Sequence, residues 1–247
     1  MRKGFSMRVR KGPFVAALLA GLTILVFRPA SIEGAFAAPE DETERIETSI
    51  TVIRELVELP EVGVPEALLH KAQGIAIIPG VLQAAYGIGG QYGKGVVLVR
   101  GDDGRWGWPS FIRLFGGSIG WQIGVQKSDI ILVFKTRQGL EKIATGRITL
   151  GVDIGVSAGP VGRRAEASTD LEFEAEIYSY SRSKGLFAGV SIKGASLQVD
   201  EEANEAFYGR KGLDPHEILA GRELKAPDAA AKLREVVATY TSDRRRI

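Results

Sequence analysis

The chain has no cysteine and only two histidines among its 247 residues, and each scarcity removes some chemistry. Without thiols there are no disulfides, no thiol nucleophile, no zinc–thiolate site and no lipid-modified cysteine behind a leader. His70 and His216 lie far apart in sequence, so a histidine-based metal site would draw most of its ligands from carboxylates. No metal and no cofactor is expected. A strong basic field is lacking too. The formal charge is +2, but six of the 32 Lys and Arg residues lie at or before Arg28, against one acid, Glu33. Without residues 1–37 the chain carries 26 basic and 29 acidic groups, a charge of about −3. No run of interleaved basic and aromatic residues follows, so no nucleic-acid partner is expected.

What is present begins with Arg2, Lys3, Arg8, Arg10 and Lys11, then an apolar stretch at residues 14–27, then Ala35, Phe36 and Ala37. A basic start, a short apolar stretch and small residues at a cleavage position predict a secretory signal. The stretch is 14 residues long, short of the ~20 that a membrane-crossing helix needs. Residues 1–37 are therefore expected to be a signal peptide, residues 40–221 one domain, and residues 222–247 a C-terminal helix with a basic tail at Arg244, Arg245 and Arg246. An exported, periplasmic or cell-envelope protein follows from that division.

Within residues 41–59, Ile46, Ile50, Ile53 and Val57 recur at helical spacing, opposite the acidic Glu44, Glu47, Glu55 and Glu58. Packing of this stripe onto the domain is expected rather than membrane contact. Pro65 suits the first turn of a second short helix with Leu68 and Leu69 as its apolar contacts. From Gly74 the period changes to that of strands. Ile119, Trp121, Ile123 and Val125 alternate with Ser118, Gly120, Gln122, Gly124 and Gln126. The same period of two returns in Ile148, Leu150, Val152, Ile154 and Val156, and again in Leu171, Phe173, Ala175 and Ile177. Residues 129–135 form a continuous apolar run typical of a buried strand, and residues 137–145 predict a short helix closed by Gly146. Pro215 and Pro227 each stand at a plausible helix start, with Leu233, Val237 and Tyr240 as the last stripe. The fold class is α+β: a curved, mostly antiparallel, glycine-rich sheet or partial barrel with an N-terminal helical pair, one inserted helix and C-terminal helices. Glycines recurring along several strands imply strong curvature or a close approach to the backbone.

Two motifs suggest catalysis or nucleotide binding and fail on context. The glycines at 87, 89, 90, 93 and 95 resemble a phosphate loop, but Lys94 precedes Gly95 rather than Ser or Thr, and VVLVR follows instead of a helix. A glycine-rich turn between strands is the expectation there. Gly116-x-Ser118-x-Gly120 matches a hydrolase elbow, with His216 downstream and Asp153 and Asp170 between, yet an elbow needs a helix after the serine and a period-two run follows. Asp102-Asp103-Gly104 predicts a turn between strands. Trp106, Trp108, Tyr178, Tyr180 and Phe187 are expected in the core or on the sheet rather than as a membrane anchor.

Residues 84–109, 116–133, 150–163 and 177–195, closed by DEEANEAFYG from Asp200, resemble the SYLF domain in unbroken order over about residues 68–221. Trp121 and Val125 stand where that family often has a smaller or different residue. The resemblance implies lipid binding and brings no catalytic set. It also implies actin binding for some fungal members, though no actin is expected as partner of an exported bacterial-type protein. Phospholipid or a membrane surface is the expected partner. The cations that would serve lipid phosphate are Arg182 and Lys184 beside Ser181 and Ser183, together with Lys94, Arg100, Lys193 and Arg163. A cell-envelope scaffold that binds protein, and a serine hydrolase using Ser118, are the alternatives.

Overall fold

The computed structural model describes residues 41–57, 64–160, 175–183, 186–189, 192–221 and 224–242. The first helix, α1 (Glu42–Val57), buries Ile46, Ile50 and Ile53 as the spacing predicts. It also buries Arg45, Ser49, Val52 and Leu56, so its inward face is wider than one stripe. The cause is that α1 packs on both the sheet and the last helix, and two contacting surfaces bury a broader arc than one. A second helix, α2 (Glu66–His70), follows Pro65, with Leu68 and Leu69 buried.

Two strands dominate the sheet. β1 (Gly74–Val99) and β2 (Ser110–Phe134) pair antiparallel from Gly74↔Phe134 to Val97↔Ser110. Their register shifts between Ile78 and Val81 and again between Ala85 and Gly87, and residues 100–109 join them. The glycine-dense stretch at 87–95 is therefore not a turn between strands, as expected, but part of one long strand. Its glycines serve close approach. A Cβ on Gly95 would lie 2.2 Å from the Ile77 carbonyl oxygen, and one on Gly93 would lie 2.7 Å from a Val81 methyl. β1 thus curls back over its own beginning, and only bare backbone fits at the crossing. The turn occurs instead at Asp102-Asp103-Gly104, where Gly104 takes φ +77°.

After β2 come α3 (Gln138–Ala144), β3 (Arg147–Thr149), β4 (Val156–Ala158), β5 (Ile177–Ser183), β6 (Leu186–Gly189) and β7 (Ser196–Val199). Among the described residues one sheet runs β3-β7-β2-β5-β4, with β1 also on β2 and β6 on β5. All these pairings are antiparallel except β4 with β5. The alternation over residues 148–156 predicts one strand, but the chain forms two short ones, β3 and β4, with a turn between them. The Asp153 carboxylate accepts from the Thr149 N–H at 2.6 Å and Gly151 takes φ +80°. These turn the chain and leave Val152 77% exposed, because local side-chain bonding competes with the ladder. The expected strand from Leu171 lies outside the described residues as far as residue 174; from Ile177 the chain is β5.

The C-terminal helices are α4 (Glu201–Tyr208), α5 (Pro215–Ala220) and α6 (Asp228–Thr241). Asp200 caps α4 by accepting from the Ala203 N–H, and Asp214 caps α5 by accepting from the His216 N–H. Both faces of the sheet are covered near its ends. Ile75, Ile77, Ile131 and Val133 join the cluster of α1, α2 and α6, whereas Ala76, Ile78, Ile130 and Leu132 join that of α3 and β7. Strands buried on both sides need continuous apolar sequence, which is what residues 130–134 supply.

Candidate functional site

The four described cations of the expected lipid site separate into two kinds. Arg182, on β5, stands opposite Asp129 on β2, and its Nε and Nη2 donate to the Asp129 carboxylate at 2.9 and 2.6 Å. Its third nitrogen pairs with Glu55 of α1. Burial lowers its pKa, and only 21% of the side chain is exposed. Arg182 thus ties helix to sheet. Arg100 likewise works inside the fold: its Nη1 donates to the His70 carbonyl at 2.8 Å and its Nη2 to the Thr241 carbonyl at 3.2 Å. It satisfies the C-terminal ends of α2 and α6 while its guanidinium lies 4.8 Å from the Trp106 ring centroid, and burial lowers its pKa too.

Lys94 and Lys193 are placed differently. Lys193 is exposed on the turn before β7, next to Gly151. Lys94 is half-buried on β1, opposite Arg113 of β2. Arg113 donates to Asp200 at 2.6 Å, which raises its own pKa. For Asp200, burial raises the pKa, but the Arg113 and Ala203 hydrogen bonds and the charges of Arg113 and Lys94 hold it below the ordinary carboxylate value. Lys184 and Arg163 lie outside the described residues, as do the three tail arginines. Among the described residues, Arg182, Arg100, Lys94 and Lys193 are therefore not gathered into one place.

What it does form is a long ribbon of β1 and β2 on which residues of one face are fixed by register. Ala84 faces Val125, Leu82 faces Lys127, and Tyr92 faces Phe115. Leu82, Tyr92 and Val125 are 38%, 48% and 73% exposed. Around them stand cations absent from the sequence-based set. Lys127 is exposed at one end, and at the other exposed Arg147 lies 5.8 Å from the Phe115 ring centroid. The sequence signal for this surface is an omission: no Asp or Glu occurs in residues 74–101 or 104–128.

The other face of the ribbon is closed. Gln91 is buried and accepts from the Gln83 amide at 3.4 Å, while Gly93 and Gly95 pack against Ile77, Ile78 and Val81. Ser118 belongs to β2, paired with Gly89, and the strand continues to Phe134. The strand–turn–helix of a nucleophile elbow is not formed there. Trp106, Tyr178 and Tyr180 are buried, and burial raises the Tyr180 pKa. Trp108 stacks with Arg234, whose guanidinium lies 3.6 Å from the ring centroid. Among the described residues no helix is long and apolar enough to cross a membrane.

A family model described as "Ysc84: Las17-binding protein actin regulator" matches residues 115–240. The chain is 35% identical over 183 residues to SH3 domain-containing YSC84-like protein 1 of Xenopus laevis, covering 74% of this chain and 54% of that protein. It is 38% identical over 177 residues to Protein YSC84 of Saccharomyces cerevisiae, covering 70% of this chain and 37% of that protein. Over 209 residues it is 32% identical to the human SH3 domain-containing YSC84-like protein 1, with 82% and 60% covered. The chain spans only about a third to three fifths of the length of these relatives.

Proposed function

Because this chain belongs to the Ysc84 (SYLF) family, whose members are named as binding and regulatory proteins, we propose that it is a non-enzymatic module that binds anionic phospholipid surfaces. The observation that carries this is the charge of the β1–β2 ribbon. Its exposed apolar side chains are bordered by Lys94, Lys127 and Arg147, and no carboxylate lies within either strand before Asp129. A domain with a charge of about −3 gains little from its overall field, so attraction to an anionic membrane must come from such a local concentration. Each cation near the surface contributes about 1 kcal/mol, screened by salt.

The signal-like start supports an exported protein that meets the lipid of a cell envelope. Actin is not expected there as a partner. A second function is favoured by one finding: the matched family is described as Las17-binding, which suits a protein-binding scaffold.

Co-sedimentation with phosphatidylcholine vesicles, with and without phosphatidylglycerol, tests the lipid function. Replacing Lys94, Lys127 and Arg147 together by Gln in the full chain should weaken binding to the anionic vesicles about a hundredfold at low salt and much less at high salt. Equal binding of this variant and the wild type would remove the lipid function from the ribbon.

A further inference from the structure

The ribbon concentrates exposed apolar surface in a way the rest of the described chain does not. Four large apolar side chains stand exposed among the described residues, and three of them, Leu82, Tyr92 and Val125, lie on β1 and β2. They share one face. Residues paired across an antiparallel ladder point to the same side, which unites Leu82 with Lys127, Ala84 with Val125, and Tyr92 with Phe115.

We infer that this face of the ribbon inserts into the hydrocarbon edge of an anionic bilayer, with Lys127 at one end and Lys94 and Arg147 at the other holding lipid phosphates; this rests on the lipid-binding function proposed above. Three observations select a bilayer as the occupant. Exposed apolar side chains bordered by polar groups mark an interaction surface, and here the border is cationic. Neither strand carries a carboxylate up to Asp129, and at the Lys94 end Asp200 is buried in its ion pair with Arg113, which also holds Glu202 at 3.6 Å. Tyr92 joins an apolar ring to a polar tip, the combination that suits a membrane–water boundary. The orientation is decided by the curl of β1, since Gly93 and Gly95 lie against residues 77–81 and close the opposite face.

The absence of cysteine allows a direct test. Val125→Cys in the full chain carries one environment-sensitive fluorophore, and Lys211→Cys, on the exposed turn after α4, carries the same label as a control. Phosphatidylcholine/phosphatidylglycerol vesicles are prepared with a nitroxide quencher either in mid-chain or on the headgroup. Insertion is expected to blue-shift the label at 125 and make mid-chain quenching exceed headgroup quenching, while the label at 211 stays unchanged. Val125→Asp should weaken vesicle binding at least about tenfold with the circular dichroism spectrum preserved. If vesicles retain the protein while the label at 125 remains in water, insertion is overturned and lipid binding stands. If unlabelled wild-type protein does not bind anionic vesicles, both fall. A blue shift before lipid is added would assign the face to a second copy of the chain and overturn insertion.

Discussion

Arg182 and Asp129 stand directly opposite each other on neighbouring strands, and two guanidinium nitrogens converge on one carboxylate oxygen at 2.6 and 2.9 Å. With Glu55 on the third nitrogen, the cation that sequence pattern assigns to lipid phosphate joins β5, β2 and α1. Replacing Arg182 by Gln leaves a partly buried carboxylate without its partner, which costs about 2 kcal/mol. Thermal unfolding should show a fall in Tm of roughly 4–8 °C. A Tm unchanged from wild type, together with a large loss of vesicle binding, would return Arg182 to the lipid site.

The curl of β1 makes Gly95 intolerant of any side chain. An added Cβ meets the Ile77 carbonyl and the Ile78 Cα, both backbone atoms that cannot move alone. Gly95→Ala is expected to destabilise the fold by about 3 kcal/mol, seen as an early midpoint in urea. Gly146→Ala, where an added Cβ meets nothing within 4 Å, is the control and should unfold close to wild type.

Asp200 links stability to pH. Its folded-state pKa is depressed below the ordinary 3.8, so its contribution is fully present above about pH 4 and is lost as pH falls through the folded value. Asp200→Asn keeps a cap for α4 but removes the charge that Arg113 and Lys94 favour. The variant should be less stable than wild type at neutral pH and converge with it in acid, as measured by denaturant titrations between pH 2 and 7. Parallel curves across that range would contradict the assigned charge coupling.

Export is tested by the mature N-terminus. The basic start, the apolar residues 14–27 and Ala35-Phe36-Ala37 predict cleavage after Ala37. N-terminal sequencing of protein from an envelope fraction should begin at Ala38. Recovery of Met1 in a membrane fraction would instead indicate a retained anchor.

Much of this protein was legible in its sequence, because local periodicity acts through local geometry. The α1 stripe, the apolar run of β2, α3, the turn at Gly104 and the helix starts at Pro215 and Pro227 depend on neighbours a few residues away. So does the family, through long motif blocks in order. Tertiary structure decided the use of the cations and glycines. Arg182 finds Asp129 across 53 residues, and Arg100 reaches Thr241 across 141. Neither pairing leaves a periodic trace, since ion pairs form wherever strand register and helix packing bring charges together. The glycines of β1 read locally as a turn, yet they serve a crossing between residues 77–78 and 95 that exists only once the strand has curled. Likewise, the missing carboxylates are visible in sequence, but the register of β1 on β2 is what brings Leu82, Tyr92 and Val125 onto one exposed face.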